Sequence, residues 1–267
     1  MSERRRSMRA TNVLCLLTLS LNLAFCASAE VKQRQAQEKD PKYQYNVGLF
    51  YLNQNNIDEG IKYFQKTIAL SSRYHLAWNA LGLAHSMKGN FDESVRAFEK
   101  CLEINPQFTE ARNNLGTVYQ EMNALDRAEA EFQKALLDQS YANRELPYFN
   151  LARLYVLQGR LEEALQSAQL AVQIQPRLAM AHNLRGVVLE KLGNVEGAIS
   201  AYELAVRVVP DDVLFNYNLG VAYFNNQEYD KAKETFLKIS SRVIDMEMKD
   251  NISRYLKIIG QRGPGIV

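Results

Sequence analysis

The sequence repeats itself every 34 residues. Small residues at Gly48, Gly82, Gly116, Ala152, Gly186 and Gly220 stand 34, 34, 36, 34 and 34 positions apart. A Val or Leu precedes five of them, at Val47, Leu81, Leu115, Leu151 and Leu219, and an aromatic or His follows three residues later at Tyr51, His85, Tyr119, Tyr155 and Tyr223. About twelve residues on comes a second small residue, at Gly60, Ser94, Ala128, Ala164, Ala198 and Ala232. Four further lies Phe64, Phe98, Phe132, Ala168, Tyr202 or Phe236, and Pro106, Pro176 and Pro210 mark where the units end. Each unit is long enough for two helices and too short to bury an apolar face alone. Such a chain must stack helical hairpins against one another.

The local chemistry agrees with that reading. The first small residue lets the second helix of its hairpin approach closely, the second small residue meets it, and the aromatic fills the space between hairpins. Leu81, Leu115, Leu151 and Leu219 knit each hairpin internally, and the connectors at 87–90, 157–160, 191–194 and 225–229 turn one helix back onto the next. Period and pattern resemble the tetratricopeptide repeat. That resemblance implies an all-α fold, a right-handed α-solenoid superhelix of six repeats at 41–74, 75–108, 109–142, 145–178, 179–212 and 213–246. A capping helix over 247–259 presents Met248, Ile252, Tyr255, Leu256 and Ile259 to the last repeat, and residues 260–267 form a loose tail.

The N-terminus reads as an address. Arg4, Arg5, Arg6 and Arg9 precede an apolar run from Val13 to Phe25, and Cys26, Ala27, Ser28 and Ala29 follow. A basic start, a short apolar stretch and small residues make an export signal over 1–25, and the run is too short for a persuasive membrane span, which needs roughly twenty residues. A retained N-terminal anchor is the bland alternative. Two processing outcomes stay open. Leu23-Ala24-Phe25-Cys26 is similar to a bacterial lipobox, which would make Cys26 the acylated first residue, although Phe25 stands where Gly, Ala or Ser is usual. Ala27-Ser28-Ala29 instead suits simple cleavage and a free periplasmic protein. Residues 26–40 are a polar linker able to act as a tether, and with no Asp after Cys26 the outer membrane is the expected destination.

The formal charge of +2 is carried by this address, which leaves the remainder slightly acidic. A non-specific nucleic-acid binder needs a basic stripe, so that class is excluded. Chemistry is equally sparse. His75, His85 and His182 lie apart, His85 replaces a packing aromatic, and Cys101 reads as a small buried hydrophobe. No phosphate-loop, zinc-protease or nucleophile-elbow pattern occurs. Glu162-Glu163 and Asp92-Glu93 open second helices, where negative charge opposes the positive dipole end. The chain is expected to be no enzyme, with no cofactor, metal or small-molecule substrate.

In this repeat class the concave groove is lined by a fixed set of first-helix positions. Carried onto this sequence, they bring Tyr45, Leu49, Leu52, Asn79 and Leu83 to one end, and Phe149, Leu157, Tyr217 and Phe224 to the other. Both groups are apolar and basic residues are few, which suits an apolar peptide or strand of a protein partner. Equally, these residues could touch one another or the tethering linker. Asn46, Asn114, Asn150 and Asn218 divide between structural and ligand-contacting readings.

Signal, Cys26 and six repeats together resemble the type IV pilus biogenesis lipoproteins of the PilF/PilW/Tgl group. The broken period adds to this, because Leu137 to Glu145 carries Tyr141 and Arg144 ahead of Asn150-Leu151-Ala152, as the longer linker of that family does. The resemblance implies an outer-membrane pilotin, anchored on the periplasmic face through Cys26, that binds the pilus secretin subunit and promotes its localisation and multimer assembly. The alternative is a generic periplasmic or outer-membrane repeat scaffold serving cell-wall hydrolases or outer-membrane protein assembly.

Overall fold

The structure, a computed structural model, describes residues 36–262. The export signal, Cys26 and the chain beyond Arg262 lie outside the described residues. Thirteen helices follow from residue 41: α1 (Pro41–Asn53), α2 (Ile57–Leu70), α3 (His75–Met87), α4 (Phe91–Ile104), α5 (Thr109–Glu121), α6 (Leu125–Leu136), α7 (Glu145–Leu157), α8 (Leu161–Ile174), α9 (Ala179–Lys191), α10 (Val195–Val208), α11 (Val213–Asn225), α12 (Tyr229–Ser240) and α13 (Met246–Arg262). They pair as antiparallel hairpins, and no strand occurs among the described residues. The chain divides into two compact units, the first holding α1–α4 and the second, from Thr109, holding α5–α13.

Each hairpin closes on one contact. A Cβ placed on Gly48, Gly82, Gly116, Gly186 or Gly220 would lie 2.6, 2.7, 2.6, 2.5 or 2.6 Å from the ring of Phe64, Phe98, Phe132, Tyr202 or Phe236 respectively. Real Cβ atoms do not approach that closely, so the missing side chain is the seat of the ring. The sequence pattern places the glycine and the aromatic at fixed positions, but the close approach expected between helix backbones is in fact an aromatic ring laid on a helix. The second small residue does meet the first helix. Ser94 Oγ donates to the Gly82 carbonyl at 2.7 Å, and a Cβ on Gly60 would lie 3.3 Å from the Gly48 oxygen. All five rings are fully buried. The α7–α8 hairpin solves the same problem differently, because Ala152 replaces the glycine, Ala168 replaces the ring, and both are fully buried.

The turns share a second constraint. Asn55, Gly89, Asn123, Gly159, Gly193 and Gln227 occupy the same place between the helices of the six hairpins, and each has φ between 58° and 79°. The next residue's N–H then donates back to a carbonyl near the helix end at 2.8–2.9 Å, from Asn56 to Tyr51, Asn90 to His85, Ala124 to Tyr119, Arg160 to Tyr155, Asn194 to Leu189 and Glu228 to Tyr223. This left-handed cap satisfies carbonyls the helix leaves open. Glycine and asparagine tolerate it, while glutamine pays the usual Cβ strain.

In the second unit the hairpins are also tied by polar bonds. Asn150 Nδ2 donates to Asn113 Oδ1 at 3.0 Å and Asn218 Nδ2 to Asn183 Oδ1 at 2.9 Å. Arg160, the residue just before α8, pairs with Glu129 of α6 at 2.7 Å, and the Tyr155 hydroxyl donates to the same carboxylate at 2.9 Å. The two extra residues of the 36-residue period fall into the connector 137–144, while α6 is shorter than α8 or α10. Asp138 pins that connector. It accepts from Thr109 Oγ1 at 2.6 Å and from the backbone and hydroxyl of Ser140 at 2.9 and 2.6 Å, and the Ser140 hydroxyl chiefly, then Thr109, hold its carboxyl below the ordinary carboxylate value.

The capping stripe is as expected: Ile252 and Ile259 are buried, and Met248, Tyr255 and Leu256 pack against the core of α10–α12. The helix itself is longer than expected. It continues through Gly260 to Arg262 instead of ending at residue 259. A Cβ on Gly260 would meet nothing within 4 Å, and one solvent-side glycine lowers helix propensity by about 1 kcal/mol, too little to end a helix already docked.

Two outcomes follow. Gly116→Ala should destabilise the protein by about 1–3 kcal/mol through overpacking against Phe132, and Phe132→Ala by about 3–5 kcal/mol. The double variant, which copies Ala152/Ala168, should cost clearly less than the two losses added, as read by urea denaturation. Gln227→Gly should stabilise by about 1 kcal/mol, since it removes left-handed strain at a turn where three other hairpins carry glycine; an unchanged midpoint would show that the turn is not strained.

Candidate functional site

In the first unit, α1 and α3 carry the apolar residues of interest. Tyr45, Leu49 and Leu52 are half-buried and pack against a core of Phe64, Ala80, Leu81, Ala84 and Ala97. The Tyr45 ring lies 6.0 Å from Phe64 and 5.4 Å from Tyr74, which fixes its rotamer. Leu83 is half-buried on α3, and Asn79, one turn earlier, is only 6% exposed. Tyr45, Leu49 and Leu52 thus form an apolar facing whose rear atoms already pack on the core.

The second unit divides its candidates. Tyr217 and Phe224 project from α11 and join Val187 and Val221 on one apolar cluster. The capping helix shares that cluster: Tyr255 stacks on Phe236 with centroids 5.2 Å apart and planes 7° apart, and approaches Phe224 to 4.7 Å. Tyr217 lies 6.3 Å from Phe236. Phe149 is half-buried on α7, a different hairpin, where Leu157 at the helix end is 63% exposed. A polar edge adjoins the α11 aromatics. Glu190 accepts from the Tyr202 hydroxyl at 3.0 Å and from Asn225 Nδ2 at 3.5 Å. Burial first, then the Glu190 charge, push the Tyr202 phenol far above its ordinary value.

Two of the four asparagines preceding the motif have structural work. Asn150 and Asn218 each bond an asparagine of the preceding hairpin, a role that their sequence neighbourhood does not reveal because the partners are 37 and 35 residues away. The histidines are dispersed in local packing. His75 meets Phe108 edge-on with centroids 5.1 Å apart, and His182 Nε2 lies 2.9 Å from the Pro176 carbonyl. His85 lines a groove of about 380 Å³ with Trp78, Leu81, Glu93, Arg96, Ala97 and Lys100. Its Nδ1 is buried without a hydrogen-bond partner. Among the described residues no three His, Cys, Asp or Glu side chains gather to hold a metal.

Burial lowers the His85 pKa from the ordinary 6.5, outweighing Glu93. The unfolded chain thus takes up this proton first as pH falls, so His85 supplies stability above pH 6.5 that is lost as pH drops through its lower folded value. His85→Tyr, the residue that four other hairpins place there, should remove that slope from melting temperatures recorded between pH 7 and pH 5. A slope unchanged by the substitution would assign the acid sensitivity elsewhere.

Models of the tetratricopeptide repeat match residues 41–74, 75–108, 97–130, 147–178 and 215–241, and a TPR-repeat model matches 191–227. Among solved structures, PilF of Pseudomonas aeruginosa is similar with a TM-score of 0.73 at 14% identity, over 82% of this chain and 99% of that one. PilW, described as a widely conserved type IV pilus biogenesis factor, gives 0.71 at 18%, over 80% of this chain and 98% of its own. A chain of the Cut9–Hcn1 hetero-tetramer of the anaphase-promoting complex gives 0.72 at 17%, over 88% of this chain but 46% of that one. At these identities the likeness is one of fold. Curated relatives match in part: the anaphase-promoting complex subunit CDC16 of Saccharomyces cerevisiae is 27% identical over 113 residues, 42% of this chain and 13% of that protein. The Hsp70-Hsp90 organising protein of Plasmodium falciparum is 34% identical over 56 residues, 21% of this chain and 10% of that protein. The chain thus spans only a small part of the length of these curated relatives. No helix among the described residues is long and apolar enough to cross a membrane. With its hairpins, its buried rings and these matches taken together, the chain is a tetratricopeptide-repeat protein, a non-enzymatic scaffold for protein–protein contacts.

Proposed function

We propose that this protein is an outer-membrane pilotin, which holds the type IV pilus secretin subunit and promotes its localisation and assembly into a multimer. The observation that carries the reading is the extent of the likeness to PilF and PilW: it runs over 82% and 80% of this chain and 99% and 98% of theirs with TM-scores of 0.73 and 0.71, whereas the Cut9–Hcn1 chain is covered over only 46%, and MamA matches 66% of this chain with a TM-score of 0.53. A common repeat matches pieces of many proteins, but a close superposition over most of both chains is narrower. The export signal and Cys26 add an address. Acyl chains on Cys26 would anchor the protein to the periplasmic face, each buried CH₂ contributing about 0.8 kcal/mol, with residues 27–40 as tether. In the first unit Tyr45, Leu49, Leu52 and Leu83, with Asn79, take an apolar segment of the partner; within the second unit Phe149, Tyr217 and Phe224 are the candidate contacts. No turnover is required, since the mechanism is capture and placement.

A second reading, a scaffold for another envelope complex, rests on the repeat's generality. MamA and YrrB, the latter described as having an unusual peptide-binding site, are 23% and 22% identical, somewhat above PilF and PilW.

Deleting the gene separates the two. Loss of the heat- and detergent-resistant secretin multimer from membranes, with the monomer still present on the immunoblot, is the expected outcome, and an unchanged multimer would overturn the pilotin reading. A chain carrying both Leu49→Asp and Leu83→Asp should keep its helical circular-dichroism signal and lose secretin capture. Cys26→Ala should leave capture intact in solution while the multimer is lost from the outer membrane.

A further inference from the structure

The residue before the first small residue of each repeat is Val47, Leu81, Leu115, Leu151 and Leu219 in five hairpins, and Arg185 in the fifth. Four of those five apolar residues are leucines buried to 7% exposure or less. Arg185 thus carries a permanent positive charge into an apolar packing position on α9. Its stem can replace the leucine, as long cationic side chains do. Its head is another matter. The Arg185 side chain makes no hydrogen bond and no ion pair among the described residues, and its Nε is buried without a partner. Burial alone lowers its pKa, and no carboxylate offsets it. A guanidinium does not give up its proton in a protein, so this half-buried side chain keeps its charge with no counter-ion beside it.

Arg185 also opens onto a formed space. A groove of about 450 Å³ lies between α8 and α9, lined by Gln166, Gln169, Leu170, Val172, Gln173 and Arg185. The three glutamines recur at i, i+3 and i+7, so they share one face of α8 over about 10 Å, the length of roughly three residues of extended chain. Side-chain amides both donate and accept, which matches the alternating N–H and C=O groups of a peptide backbone. Leu170 and Val172 offer an apolar wall. On α9, Arg185 is two residues from Asn183, about 200° around the helix, so this groove lies opposite the side that bonds Asn218.

We infer that the α8–α9 groove is a second peptide-binding site, in which Arg185 receives the side-chain carboxylate of an acidic residue within a short extended segment of a partner protein. The guanidinium offers its two terminal nitrogens as a bidentate fork, the geometry that favours a carboxylate over a spherical anion. The glutamines align the flanking backbone, and apolar neighbours of the acidic residue rest on Leu170 and Val172. This site is independent of the apolar surfaces on α1, α3 and α11 and of what they bind.

The test follows the Arg185 Nε–Hε resonance of the full chain labelled with ¹⁵N-arginine, assigned by its loss in Arg185→Leu. The probes are acetyl-Leu-Glu-Leu-amide, its Leu-Gln-Leu analogue and sodium acetate at constant ionic strength. The expected result is a saturable shift with the glutamate peptide, at least tenfold tighter than with the glutamine peptide or acetate. Arg185→Leu should lose glutamate-peptide binding while melting no lower than the parent, since leucine is the residue of four other hairpins; Arg185→Lys should keep the charge, lose the fork and bind at least fivefold more weakly. No saturable shift would overturn the proposal. So would equal shifts with acetate, which mean an anion site only, equal shifts with the glutamine peptide, or undiminished binding by Arg185→Leu.

Discussion

The seating of an aromatic ring on a helix that lacks a side chain is the contact on which this structure depends. With the Phe132 ring 2.6 Å from where a Cβ on Gly116 would stand, closer than real Cβ atoms come, Gly116 sets how near α6 can come to α5, and four other hairpins use the same device. Everything else is arranged around that distance. Left-handed turn residues reverse the chain tightly enough for the second helix to begin within reach. Small residues such as Ser94 let the helix lie against the glycine carbonyl, and the leucine before the glycine fills the flank. The Ala152/Ala168 hairpin shows that the constraint belongs to the pair: when the ring goes, the glycine is no longer required.

Because that pairing is periodic, the sequence reveals most of the fold. Glycine, aromatic and leucine recur in phase, so hairpin number, helix pairing and the capping stripe of Ile252 and Ile259 can be read without coordinates. What the pattern does not reveal is which atoms meet. Phe132 as filler between hairpins and Phe132 as a lid on Gly116 leave the same spacing in the chain. The end of α13 eluded the sequence for a related reason, since a glycine stops a helix only where docking does not hold it.

The candidate surfaces were legible to a lesser degree. First-helix positions identify Tyr45, Leu49 and Leu52, but not that Tyr45 is clamped between Phe64 and Tyr74. Nor do they reveal that the capping helix inserts Tyr255 beside Phe224, which depends on how α13 registers on α11 and α12. Bonds such as Asn150 to Asn113 join residues a full repeat apart and carry no local signature. Arg185 was hidden by the motif itself. A search for recurring apolar residues passes over the one repeat in which the residue is charged, yet the departure is conspicuous once its missing counter-ion is seen.

The connector between α6 and α7 has a consequence of another kind. In a helix each added residue rotates every later side chain by about 100°, so two extra residues inside α6 would turn its buried face toward water. Here α6 stops early and the surplus gathers in residues 137–144, outside helical register, with Asp138 holding it to Thr109. Chain length is thereby separated from helical phase at this one joint. It is the place in the second unit where insertions can accumulate over evolutionary time, or a reporter be spliced in the laboratory, without re-indexing a single buried residue downstream.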